Sequence, residues 1–496
     1  MSELVALPVL IPLIGAALSI LVGRSRVAQR AISLVALTAT TVLSVVLLVG
    51  ADRDGPLVVQ SGGWPAPIGI TLIVDRLSGI MLTVGSLMLL AVLVFAIGQP
   101  GAERNHVGFQ STYLILAAGV AGSFIVGDLF TLFVSFEMML TASYVLLTLG
   151  GGRQQVRAGM TYVVISLLAS ALFVTALALL YAATGTVNMA DLAVKLANLP
   201  DGVSAAFAVL LVVVFGIKAG LFPLFSWLPD SYPVAPSAVT AVFAGLLTKV
   251  GVYALIRTQT LLFGAEDRPA TLLLVLAGLT MVIGILGAIA QDDVKRILSF
   301  NIVSHIGYMV MGLALFSVAG LAAAIFYTVH HIVAMTTLFL TGGLIEHVGG
   351  ASQLSRLGNL ARSAPVIAVL FLVPALALGG FPPFSGFVPK LGLVEAGFDQ
   401  GEDVIVVVSL VVSLLTVLSM MKIWLSAFWG DATEQPQGVV HRVGAIGGPA
   451  LMVVPAATLA GVSLAIAVAA GPLYRLCERA AAALLDRTGY IEAVLG

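Results

Sequence analysis

Cysteine is almost absent: the 496-residue chain has one, Cys477. A single thiol excludes an intrachain disulfide, a four-thiolate iron–sulfur centre and a cysteine-rich zinc site. Charge is scarce too, at 9% of residues, against about 25% in soluble domains. The net formal charge is only −1, so nothing suggests a nucleic-acid partner. Apolar residues fill the space, at 60% of the chain. Because about 20 apolar residues cross a bilayer, the chain reads as an all-α polytopic membrane protein, in contact with lipid throughout and with no soluble domain. The first apolar stretch, Leu4 to Val22, has no basic segment before it and is expected to be a retained helix, not a cleaved signal.

Apolar runs broken by turn residues and charges give about fourteen spans, at 4–23, 29–50, 76–98, 112–127, 129–149, 158–183, 203–230, 237–258, 270–290, 297–316, 319–344, 365–397, 402–429 and 445–470. The division at Gly127-Asp128 is needed because a run from 112 to 149 is too long for one crossing. Arg24, Arg26, Arg30, Arg104, Arg153, Arg157, Lys295, Arg296, Arg356, Arg362 and Arg442 fall in connections on one side; Arg53, Arg76, Lys195, Arg257 and Arg268 fall on the other. The richer side is expected to face the cytoplasm, which places both termini outside the plasma membrane. The tail from Leu473 is helix-prone with mixed charge, suited to the membrane interface or to a partner subunit.

Two segments match. Residues 222–226 read Phe-Pro-Leu-Phe-Ser and residues 381–385 read Phe-Pro-Pro-Phe-Ser. Pro223 and Pro229 interrupt 203–230; Pro374, Pro382, Pro383 and Pro389 interrupt 365–397; a lysine accompanies each break, Lys218 and Lys390. Simple kinking would account for prolines alone. Matched, interrupted segments in two halves point instead to an internal repeat with broken helices at a transport site. The chain then divides into three N-terminal helices (1–111), a first five-helix repeat (112–258), a second, inverted five-helix repeat (270–430), and a last helix with an amphipathic tail (431–496). An odd number of helices per unit makes the two units inverted.

Ionisable residues stand where they are expensive. Glu137, Lys218, Lys249 and Lys390 interrupt apolar helices, and a charge near the bilayer centre costs at least about 2.5–3.5 kcal/mol. Glu137 is expected to pair with Lys218 and lie on an ion path; a structural hydrogen bond is the plainer alternative. Lys249, flanked by Gly245 and Gly251, is placed to approach the bundle interior. Lys390 could snorkel from a helix end, and Lys422, beside Trp424 and Trp429, is read mainly as a snorkelling residue and a secondary candidate. His330 and His331 point about 100° apart on a helix, which argues against a shared metal. Either one, and secondarily His305, can relay protons or simply hydrogen-bond in the core. Burial and a carboxylate partner act oppositely on a lysine's proton affinity. A lysine that gains and loses such a partner can therefore load and release a proton.

Residues 217–257, together with Val74-Asp75-Arg76-Leu77-Ser78, Ser135-Phe136-Glu137, Trp227-Leu228-Pro229-Asp230, Ala235-Pro236, Ser304-His305-Ile306-Gly307-Tyr308 and Leu338-Phe339-Leu340, resemble the antiporter-like membrane subunits of respiratory complex I and of multisubunit Mrp cation/proton antiporters. Asp230-Ser231-Tyr232-Pro233-Val234-Ala235-Pro236, Lys390, the Tyr490-Ile491-Glu492-Ala493-Val494-Leu495 end and the length look most like the D-type subunits. The resemblance implies a bacterial plasma-membrane subunit that moves protons against Na⁺ or another monovalent cation. It implies Glu137 and Lys218 as the first-half pair, Lys249 as connector and Lys390 as the end of the second path. It further implies partner subunits, a large A-type and small ones including a C-type, and no cofactor or metal. Many relatives carry a lysine where this chain has Met335, one turn after His331, so the second-half relay is expected to lean on His330, His331, water and Lys390. A proton-pumping membrane subunit of an NADH dehydrogenase or membrane-bound hydrogenase, and a scaffold with a degenerate channel, are the alternatives.

Overall fold

The computed structural model describes residues 1–103, 108–200, 202–432 and 449–496; Arg104 and Arg442 lie outside them. Among the described residues, eleven helices are long and apolar enough to cross a membrane, and three shorter apolar helices, Phe109–Ile125, Val203–Ala219 and Pro365–Gly379, complete the fourteen.

The N-terminal helices are α1 (Leu7–Leu21), α2 (Arg26–Asp54) and α3 (Arg76–Gly98). A short antiparallel hairpin joins α2 to α3, with β1 (Leu57–Gln60) paired to β2 (Thr71–Val74). Its β-branched strands flank a Gly/Pro-rich turn segment, a pattern easily passed over inside a membrane chain. The first repeat holds α4 (Phe109–Ile125), α5 (Leu129–Thr148), α6 (Arg153–Thr184), a short surface helix α7 (Met189–Leu196), the broken helix α8 (Val203–Ala219) with α9 (Trp227–Ser231), and α10 (Ser237–Val242) running through a π-turn into α11 (Thr248–Leu261). The second repeat holds α12 (Ala270–Ile289), α13 (Val294–Ala314), α14 (Val318–Gly349), the one-turn α15 (Leu360–Ser363), the broken helix α16 (Pro365–Gly379) with α17 (Phe387–Asp399), and α18 (Asp403–Ile423), wound as a π-turn to Trp429. Helices α19 (Ala450–Val468), α20 (Ala470–Leu485) and α21 (Thr488–Leu495) close the chain.

The repeat is visible in its caps. Asp128 accepts from Thr131 N–H and starts α5; Asp293 accepts from Arg296 N–H and starts α13. Each cap residue bridges the strand-like segment after the third helix of its unit, Asp128 with Asn188 and Asp293 with Gln353. The third helices both have 32 residues and end at a left-handed glycine, Gly185 and Gly350. All these counterparts stand 165 residues apart (293 against 128, 353 against 188, 350 against 185). Carboxylate caps satisfy the free N–H groups and favour the positive end of the helix dipole. Helix α4 starts at the end of the bundle where α3 finishes, and α12 starts at the opposite end, so the two units are inverted.

The broken helices stop where expected. Left-handed Gly220 and Gly380 end α8 and α16, a conformation glycine adopts without a Cβ penalty. Not every proline breaks a helix. Pro374 lies inside α16, and Pro229 and Pro389 sit in the first turns of α9 and α17, where a missing N–H costs nothing.

Three elements are central. The best apolar windows of Ser237–Leu261, α13 and α14 are 100%, 94% and 89% buried, against 33% for α1 and α2. Residues such as Val27, Val35, Val42 and Leu414 form the exposed apolar exterior. One face of the tail packs on its own chain. Helix α20 lies against α14 and α3, with Cys477, Ala480, Ala481 and Leu484 buried, and α21 lies against α7 and β1.

Candidate functional site

In the first repeat the structure brings Glu137 of α5 and Lys218 of α8 together. Lys218 Nζ lies 3.9 Å from Glu137 Oε1. Ser170 of α6 mediates the contact: Lys218 Nζ donates to its hydroxyl at 3.2 Å, and that hydroxyl donates to Glu137. Sequence reading missed Ser170, whose only signal is a small polar residue in an apolar helix. The pair is asymmetric in burial, with the Lys218 side chain 5% exposed and Glu137 29%. Beside the lysine, Tyr162, Ser166, Trp227 and Leu247 help enclose a cavity of about 10 Å³, just enough for one water.

Lys249 sits where the Ser237–Leu261 element is wound as a π-turn, Phe243–Leu247. A π-turn leaves carbonyls without their usual helical partners. Lys249 Nζ takes up one of them, donating to Ala244 O at 2.6 Å and to Thr248 Oγ1 at 3.1 Å. Its glycine neighbours press on both halves. A Cβ on Gly251 would lie 2.6 Å from Ala219 N, and one on Gly245 would lie 2.4 Å from Thr336 Oγ1. Lys249 is thus held between the first break and α14.

In the second repeat the candidates gather around aromatic rings. His305 hydrogen-bonds through Nδ1 to Tyr327 Oη. Its ring lies 5.2 Å from His331 and 5.6 Å from Tyr308, centroid to centroid. His330 turns the other way, its Nδ1 2.8 Å from Ser385 Oγ in the second break, and Ser385 meets Ser463 of α19 at 2.9 Å. Both ring nitrogens of His331, and Nε2 of His305 and His330, are buried without a protein partner. Such groups call for water. Lys390 does not snorkel: Nζ donates to Leu378 O at 3.0 Å, Gly379 O at 3.3 Å and Ser413 Oγ at 2.8 Å, and stands 5.1 Å from the Tyr308 ring centroid. Its ammonium caps the carbonyl end of α16, the negative pole of that half-helix. Met335 is fully buried.

Lys422 stands apart. Its Nζ caps α12, donating to Ile289 O at 3.0 Å and Gln291 O at 2.7 Å, and pairs with Asp292 at 2.7 Å. A second unanticipated group closes the opposite end of the bundle. Arg257 pairs with Asp75 at 2.7 Å, its guanidinium between the rings of Tyr253 at 5.6 Å and Tyr490 at 5.1 Å. Burial opposes ionisation of Asp75, yet the Arg257 guanidinium and the Ser78 N–H hold its carboxyl below the ordinary value.

The family described as NADH:quinone oxidoreductase/Mrp antiporter, TM, matches residues 126–416. The D-type Na(+)/H(+) antiporter subunit of Alkalihalophilus pseudofirmus is 43% identical over 497 residues, covering all of both chains. The chain belongs to the D-type subunits of the Mrp antiporters. Two solved structures agree in fold. A chain of the Mrp complex from Dietzia sp. DQ12-45-1b superposes with a TM-score of 0.91 at 34% identity, covering 100% of this chain and 99% of that one. A chain of the membrane-bound sulfane sulfur reductase, an archaeal respiratory membrane complex, gives 0.89 at 25% identity, covering 99% of each. As an Mrp-type subunit, the chain is a multi-pass membrane protein and part of a secondary transporter, not an enzyme.

Proposed function

We propose that this chain conducts protons through its interior and couples that movement to export of Na⁺ or another monovalent cation. The observation that carries the reading is the Glu137–Ser170–Lys218 contact, an acid and an amine joined by a hydroxyl beside a broken helix. Lys249 serves as the connector, and His331, His305, Tyr308 and Lys390 continue the polar groups through the second repeat. Water bridges the intervals between these clusters, drawn by the unpartnered imidazole nitrogens. Moving one charge through 100 mV is worth about 2.3 kcal/mol, and rearranging ion pairs in a low-dielectric bundle is a comparable energy.

The relatives supply the setting. By likeness to the Na(+)/H(+) antiporter subunits and the Mrp complex, the chain works in a multisubunit complex, with A-type and C-type subunits as neighbours. The half-covered flank of Glu137 suits such a neighbour, since a carboxylate edge facing lipid is costly. The arginine-rich end faces the cytoplasm and both termini lie outside.

Glu137→Ala or Lys218→Ala in the whole complex should abolish Na⁺-induced collapse of ΔpH in everted vesicles while assembly persists. Unchanged activity in both refutes the reading. The likeness to the sulfane sulfur reductase chain favours a second reading, a pumping subunit of a respiratory complex. Co-purification with flavin and iron–sulfur subunits would select it.

A further inference from the structure

At the bundle end where α3 and α14 finish, the structure has an open cavity of about 440 Å³. Its walls are built by polar side chains. Gln99 Oε1 accepts from Ala238 N–H at 3.1 Å, and Gln155 Nε2 donates to Val234 O at 3.5 Å, bracing the Pro233–Pro236 turn between α3 and α6. Also facing the cavity are Lys295 of α13 and Glu346 of α14, whose Nζ and Oε2 are 2.6 Å apart. The lysine side chain is 8% exposed and the carboxylate 42%. Ser237 donates to the same carboxylate at 3.3 Å. One side of Glu346 is therefore wet and the other is pinned by a buried ammonium.

Two elements lead inward from this point. The Ser237–Leu261 element reaches Lys249 after about 18 Å, twelve residues at about 1.5 Å each, and α14 runs beside it to His331. The seam between them is kept narrow-sided by glycine. A Cβ on Gly343 would meet Ser237 Cβ at 2.6 Å, and Thr336 Oγ1, facing Gly245, has no hydrogen-bond partner.

We propose that Glu346 is the proton-exchange carboxylate of an aqueous port that serves Lys249, with Lys295 as its positioning residue. The inference rests on the proton-conducting reading above. In the step, a hydronium ion in the cavity gives its proton to the Glu346 carboxylate and leaves as water. The neutral carboxyl loosens its hold on Lys295 and passes the proton to water in the seam. The carboxylate so restored pairs with Lys295 again. Among the described residues, the other titratable side chain on the cavity is His347 of α14; Arg296, next to Lys295 in sequence, pairs with Asp230 at 3.2 Å.

The test uses the whole complex in everted vesicles, with Glu137→Gln in parallel. Glu346→Gln should slow cation-induced proton movement at least about tenfold with assembly intact, and Glu346→Asp should restore most of the rate. Lys295→Gln removes the contact that holds the Glu346 carboxylate and should slow exchange several-fold with assembly intact, and Lys295→Arg should restore most of the rate. A Lys295→Gln rate identical to wild type overturns the positioning role. If Glu137→Gln abolishes exchange and Glu346→Gln does not, the port is wrong and the wider reading stands. If neither matters, both fall. Should Glu346→Gln fail to assemble, Gln154→Cys on the exposed rim, in a Cys477→Ala background, can be labelled with a bulky impermeant maleimide. Blocked exchange supports the port, and full-speed exchange by fully labelled complex overturns it.

Discussion

Ser170 and Met335 are structural counterparts, each on the third helix of its repeat, at the 165-residue interval that relates the caps Asp128 and Asp293. The Ser170 hydroxyl joins an acid to an amine; the Met335 thioether is fully buried in the bundle. The two repeats share a backbone but not a charge arrangement. Beside its broken helix the first carries an acid–amine pair, and the second has imidazoles, tyrosines and a lysine fixed to a helix end.

Ser170→Ala should therefore lower exchange about tenfold, equivalent to about 1.4 kcal/mol of lost coupling, with the complex still assembled. Ser170→Thr, which keeps the hydroxyl, should recover most of it. Initial rates of Na⁺-driven proton movement in everted vesicles read both.

Lys390→Met should remove the side-chain donor to the Leu378 carbonyl, while the Gly379 carbonyl keeps Ser413 as a donor. An unsatisfied buried acceptor costs about 1–3 kcal/mol. The expected result is loss of exchange together with a lower unfolding temperature of the detergent-solubilised complex. Unaltered thermal stability would show that the Leu378 carbonyl finds another donor.

Gly251→Ala should destabilise the chain by about 1–3 kcal/mol, the usual range for overpacking, because its methyl would press on the Lys218–Ala219 backbone. Gly461→Ala, where a Cβ meets nothing within 4 Å inside α19, is the matched control and should unfold at or slightly above the wild-type temperature, since alanine favours the helix.

Acid should weaken the Asp75–Arg257 clamp. The Asp75 carboxyl is lowered in the folded chain, so its contribution is present above the unfolded value of about 3.9 and is lost as pH falls through the folded value. Asp75→Asn should unfold at a lower temperature at pH 7 and show a flatter decline below about pH 4. Arg257→Gln, which strands a buried charge, should cost about 3–5 kcal/mol. Thermal unfolding across pH measures all three.

Much is legible in sequence because membrane insertion imposes strong local rules. Apolar length yields the fourteen spans, and the turn at Gly127-Asp128 does divide two helices. The matched Phe-Pro segments locate both breaks, since Gly220 and Gly380 stand just before them. Prolines alone say less than expected: Pro374 continues its helix. The hairpin at 57–74 is hidden because four-residue strands carry little pattern.

Composition and spacing by themselves determined that this chain is a helical membrane protein of two repeats with costly charges inside. Those properties depend on neighbours in sequence and on the bilayer. The Glu137–Lys218 pairing was already expected, but only the tertiary structure decided the other meetings: Ser170 between that pair, Lys295 with Glu346, Arg257 between Asp75 and the tail's Tyr490. Hydrophobic periodicity says that a residue is buried, but helix faces are matched by packing between distant segments, and in this chain both faces of the central helices are apolar.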